Sequence, residues 1–186
     1  MKEVSNILRI LVETKSLIAS GEGNKLKELS NQTIHSATIY QDPDNVIVAV
    51  LVYSLGKIME RPFYKNMDGW DEFYSTVLKN LDLAINHLKE NDIEKARVHL
   101  GKIRNSLNKI DGDLSEYIKD VFAKAEINKA FKLYEHGLSS EQTAKLLGVN
   151  LWDMASYIGQ SSISESHISK SIPVKKRIKI AEDFFG

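Results

Sequence analysis

The side chains with the strongest chemical suggestion lie toward the C-terminal end of the sequence. Lys175, Lys176 and Arg177 stand together, and five basic residues and no acid occur from Lys170 to Lys179. Such a run neutralises phosphates, or else forms a solvated helix face beside its own Glu182 and Asp183. Upstream, Asn150, Trp152 and Ser156 share one short segment behind a glycine turn. Amide and hydroxyl groups on a helix reach base edges, and an indole anchors a protein partner. Asp153 in the same segment repels phosphate. Two readings therefore stand side by side. In the first, Asn150, Trp152, Ser156, Lys175, Lys176 and Arg177 meet double-stranded DNA. In the second, Trp152, Tyr157, Phe184 and Phe185 meet a protein partner or a second copy of the chain.

The residue types of catalysis are scattered. The five histidines are His35, His87, His99, His136 and His167. None joins a tight metal-ligand pattern. Ribonucleases of the HEPN type carry Arg-x4-6-His on a helical bundle, and none of Arg9, Arg61, Arg97, Arg104 and Arg177 has a histidine at that spacing. The phosphate loop, the dinucleotide fingerprint and the nucleophile elbow are also missing. Asp42 with Asp44, and Asp111 with Asp113, flank helix starts and read as caps. The expectation is a non-enzymatic chain with no catalytic residue, metal or cofactor. Only His35, Tyr53 and His87 offer polar seeds for a site in the bundle.

The elements that position these groups follow from the apolar period. Ile7, Ile10, Leu11, Leu17 and Ile18 recur at helical spacing over residues 3–20, and Gly21 accepts the left-handed turn that ends a helix. A second helix is expected over 25–40. Asp42-Pro43-Asp44 then gives a cap, a proline suited to a first turn and an acid. The run Val46–Tyr53 is apolar all round and reads as the central buried helix or, taken alone, as a buried strand. Residues 62–69 are expected as a loop. Trp70, Phe73, Val77, Leu81, Ala84 and Leu88 mark the next helix. Ile93, Ala96, Leu100, Ile103, Leu107 and Ile110 mark its antiparallel partner. Leu114, Ile118, Val121 and Ala125 continue toward Tyr134.

From Ile127 to Ile158 the spacing matches a helix-turn-helix. One helix ends at Gly137, Ser139 or Ser140 caps a short helix over 143–147, and Gly148 makes the turn. Ala144 supplies the small residue where the two helices cross. Leu147, Val149 and Met154 fill the angle between them. The pairing of Ala144-Lys145-Leu146-Leu147-Gly148-Val149 with Leu151-Trp152-Asp153 resembles small prokaryotic helix-turn-helix proteins, some regarded as antitoxins of PIN-domain nucleases. The resemblance covers about residues 127–160. It implies regulation or toxin neutralisation, with the helix Leu151 to Ile158 in the reading position.

The expected fold is all-α. A helical bundle occupies residues 1–120, a helix-turn-helix unit 121–160, and a serine-rich linker with a basic amphipathic tail 161–186. Bulk properties narrow the function. Lys plus Arg and Asp plus Glu number 25 each over 186 residues, so nucleic-acid contact must be local rather than spread over the surface. The absence of cysteine rules out disulfides and thiolate metal sites and suits a cytoplasmic location. Val46–Tyr53 is too short for a bilayer, which needs about 20 apolar residues, so no membrane association is expected.

Overall fold

A computed structural model describes residues 1–40, 42–106, 113–147, 150–152 and 155–156. The fold is all-α, and no strand occurs among the described residues. Among the described residues the helices α1 Val4–Ala19, α2 Leu26–Tyr40, α3 Pro43–Met59, α4 Trp70–Lys89, α5 Ile93–Asn105, α6 Asp113–Glu135 and α7 Ser140–Leu147 follow in order.

The apolar run 46–53 is helical. Asp42 caps α3 by accepting from the Asp44 amide at 3.0 Å, and Pro43 fills the first helical position. With Val46, Val48, Ala49, Leu51, Val52 and Leu55 all buried, α3 has almost no solvent face. It lies between α2 and α6, while α4 and α5 form the antiparallel hairpin and α4 leans on α1. Buried hydroxyls on these helices are satisfied locally: Ser54 donates to the Val50 carbonyl and Ser30 to the Ala49 carbonyl on the neighbouring helix.

Three helices end in one way. Gly21, Asn91 and Gly137 all take positive φ. In each case the next residue's amide reaches back to a carbonyl in the last turn: Glu22 to Leu17, Asp92 to His87, and Leu138 to Leu133. These are six-to-one closures that satisfy the carbonyls a helix end leaves open.

The segment expected as a loop over 62–69 differs. Pro62–Asn66 winds into a 3₁₀ turn. Tyr64 is fully buried there, its hydroxyl accepting from Arg61 at 2.8 Å. A buried aromatic anchors the chain, where polar turn residues alone suggested a free connection. Gly23 has an equally specific role. A Cβ at that position would stand 2.6 Å from the Met59 Cβ, so the entry to α2 passes the end of α3 only without a side chain.

The helix α6 joins two apolar clusters. Leu114, Ile118, Val121 and Phe122 belong to the main core with α1, α3, α4 and α5. Leu133, with Leu138 behind it, packs with Ile34, Ala37, Val46 and Ala49, and Leu146 and Leu147 of α7 lean on this smaller cluster.

Candidate functional site

The start of α7 is built by a reciprocal cap. Ser139 Oγ accepts from the Gln142 amide, and Gln142 Oε1 accepts from the Ser139 amide, both at 3.1 Å. This is a capping box, which satisfies donors that a helix start leaves open. Serine at the expected cap position and a polar residue three further on made it legible in the sequence. Thr143, not Ala144, is the fully buried residue of α7. Ala144 is half-buried.

Beyond α7, Leu151 and Trp152 are helical, as are Ala155 and Ser156. All four are exposed, and Trp152 is 79% exposed. Trp152 is therefore not part of the chain's own core. Asn150 is exposed as well, and its side-chain oxygen accepts from the Trp152 amide at 2.9 Å. That oxygen caps the helix, which leaves the amide NH2 end as the group able to meet a base. Gly148, Val149, Asp153, Met154 and Tyr157 lie outside the described residues, as do the whole segment 161–186 and its Lys175, Lys176, Arg177, Phe184 and Phe185.

The three polar seeds expected in the bundle belong to separate contacts. His35 on α2 meets His136 beyond α6, edge to face at 5.7 Å between ring centres. His87 on α4 stacks on His99 of α5 at 5.3 Å. His99 Nδ1 lies 2.9 Å from the Asn80 side-chain oxygen. Burial holds the His99 ring below its ordinary pKa, and Lys102 and His87 add to the effect. Tyr53 on α3 has the most unusual neighbour, Lys129.

Lys129 is wholly buried. Its Nζ sits 4.2 Å from the centre of the Tyr53 ring and donates to Asn31 Oδ1 at 3.1 Å. A ring face and an amide oxygen stabilise an ammonium weakly compared with a carboxylate, and no ion pair is found for Lys129 among the described residues. Burial pushes the amine down to about 7, and the positive charges of Lys132 and Lys27 add to the push. Sequence reasoning passed over this residue. The signal was present: Lys129 stands four residues after Ala125 and four before Leu133, a register otherwise apolar.

No group of three or more histidines, aspartates or glutamates able to hold a metal occurs among the described residues. No described helix is long and apolar enough to cross a membrane. No family model, curated protein or solved structure matches the chain.

Proposed function

We propose that this chain is a non-enzymatic regulatory protein that meets duplex DNA through its helix-turn-helix and its basic C-terminal segment. The observation that carries the reading is the placement of the helix after α7. Its start projects Asn150, Trp152 and Ser156 into solvent, while α7 is held to the bundle through Thr143, Leu146 and Leu147. A reading helix needs this division, one helix seated on the body and the next left open to a groove. Phosphate contacts would come from Lys175, Lys176 and Arg177, because the exposed helix residues carry no cation.

Fluorescence anisotropy with mixed-sequence duplex DNA over a salt series tests this. The expected result is binding that weakens with salt. Replacing Lys175, Lys176 and Arg177 by Glu is expected to flatten the slope of log K against log salt by about 3. Absence of binding at low salt overturns the reading.

A second reading is favoured by one observation. Trp152 at 79% and Leu151 at 47% exposure form an apolar pair in water. Aromatic anchors of this kind sit at the centres of protein interfaces. The reading is an antitoxin-like or scaffold module that engages a protein partner, or a second copy of itself, without touching DNA. Loss of partner capture in Trp152→Ala, with no DNA binding by the parent chain, distinguishes it.

A further inference from the structure

We propose that the cleft between α3, α5, α6 and α7 binds a small amphiphilic carboxylate, with its hydrocarbon body on the cleft floor and its charge on Arg104. The cleft has a volume of about 210 Å³. That is room for roughly seven groups of methylene or water size at about 30 Å³ each. Its apolar lining comes from Ile47, Val50 and Leu51 of α3, Leu100 of α5, and Leu146 and Leu147 of α7. Ile47 is 47% exposed, although it belongs to the helix that is otherwise the most buried. A concave apolar surface with a few polar groups at its edge is the common form of a small-ligand site.

The wall at Gly101 shows how the cleft is kept open. Glycine inside a helix is unfavourable by roughly 0.5–1 kcal/mol relative to alanine, and a close contact or a positive φ normally accounts for it. Neither holds here. Gly101 lies within α5, its φ is not positive, and an added Cβ would meet nothing within 4 Å. What the missing side chain leaves open is the cleft itself.

The rim decides the ligand's charge. Arg97 is engaged at all three nitrogens: Nε and one terminal nitrogen hold Asp44, and the other terminal nitrogen holds Glu94. Arg104 holds Glu126 through one terminal nitrogen, and its other donors have no partner among the described residues. A guanidinium has five N–H donors in a planar fork, so the open edge of Arg104 can take a second carboxylate beside Glu126. Both rim acids are already paired with arginine. The free N–H groups of Arg104 stand at the cleft and can take an anionic headgroup without breaking the pair with Glu126.

Octanoate is a suitable probe, with 1-octanol as its uncharged counterpart and octylamine as its charge-reversed one. Binding is read without DNA, by methyl NMR of Leu146 and Leu147, so the cleft stands or falls independently of the helix-turn-helix reading. Octanoate is expected to shift these methyls with a Kd of roughly 0.1–1 mM. Gly101→Leu, which fills the cleft, is expected to abolish the shift, while Gly101→Ala leaves it nearly intact. Arg104→Gln changes an exposed side chain and spares the core. It is expected to weaken octanoate about tenfold and to leave 1-octanol unchanged. Octanoate binding equally to wild type and to Gly101→Leu, or not binding wild type at about 10 mM, overturns the site. Octylamine or 1-octanol binding as tightly as octanoate, with no effect of Arg104→Gln, overturns the assignment of a carboxylate.

Discussion

Replacing Lys129 by methionine should stabilise the protein at neutral and acid pH and leave it nearly unchanged in strong base. In the folded chain the amine is held at about 7, against an ordinary 10.5. That difference corresponds to about 5 kcal/mol of proton-linked free energy. The sign follows from proton counts. Below pH 7 both states carry the proton, and the folded state bears the full penalty of a buried ammonium. Between pH 7 and 10.5 the unfolded chain keeps its proton while the folded one has lost it, so stability rises with pH through that window. The Asn31 oxygen and the Tyr53 ring stabilise the charged form in part, and the effective dielectric exceeds that of a dry interior, which reduces the measurable gain to roughly 2–4 kcal/mol. Methionine has a similar length and an adaptable shape, so it fills the same space. Urea denaturation of both proteins from below pH 7 to about pH 10 measures the effect. The variant should be the more stable by that margin at the acid end, and the gap should close toward the alkaline end. A gap that is constant with pH, or a variant less stable than wild type at pH 7, would refute the assignment of Lys129 as a buried, unpaired cation.

Other perturbations test the remaining structure. Ser139→Ala removes one half of the reciprocal cap with Gln142 and should lower stability by about 1 kcal/mol in chemical denaturation, with faster amide exchange confined to α7. Gly23→Ala places a Cβ against Met59 and should cost about 1–3 kcal/mol, read as a lowered melting temperature. Trp152→Ala removes a side chain that touches little of the body. It should change stability by less than about 0.5 kcal/mol, while reducing binding to DNA or to a protein partner in the anisotropy and capture assays.

The helices were legible because their signals are local. Asp42 and Pro43 at the head of α3, Gly21 and Gly137 behind α1 and α6, and Ser139 before α7 each act on backbone groups within one turn. A sequence shows such groups at fixed offsets. What was missed depends on contacts between distant segments. Tyr64 is buried because the turn at Pro62–Asn66 brings it onto the main core, which no nearby residue announces. Lys129 is buried by Asn31 and Tyr53, from helices far away in the chain. The cleft beside Gly101 is likewise made by four helices at once, and its glycine reads in sequence as a weak helical position and nothing more. The candidate reading helix falls between these cases. Asn150 caps Trp152 within one turn, and only the tertiary arrangement leaves Trp152 exposed.

The helices α6 and α7 connect the bundle to the exposed segment at Trp152. Toward its start α6 is fixed by Leu114, Ile118, Val121 and Phe122 in the main core, and near its end Leu133 sits in the smaller cluster beneath α7. Lys129 lies between these two anchor points. The seat of α7 belongs to the smaller cluster and not to the main core. The seat is also slight, since Thr143 is the one buried residue of α7 and Leu146 and Leu147 are only half-covered. Few buried apolar contacts mean a low local free energy of opening. The same two leucines face the cleft, so an apolar molecule lodged there would cover surface that α7 alone leaves half in water. It would stabilise one position of α7 by as much as its affinity for that position exceeds its affinity for others. Any regulation of the exposed helix at Trp152 by the bundle is therefore expected to act through Leu146 and Leu147, and not through the main core, whose packing is too extensive to shift for the binding of one small ligand.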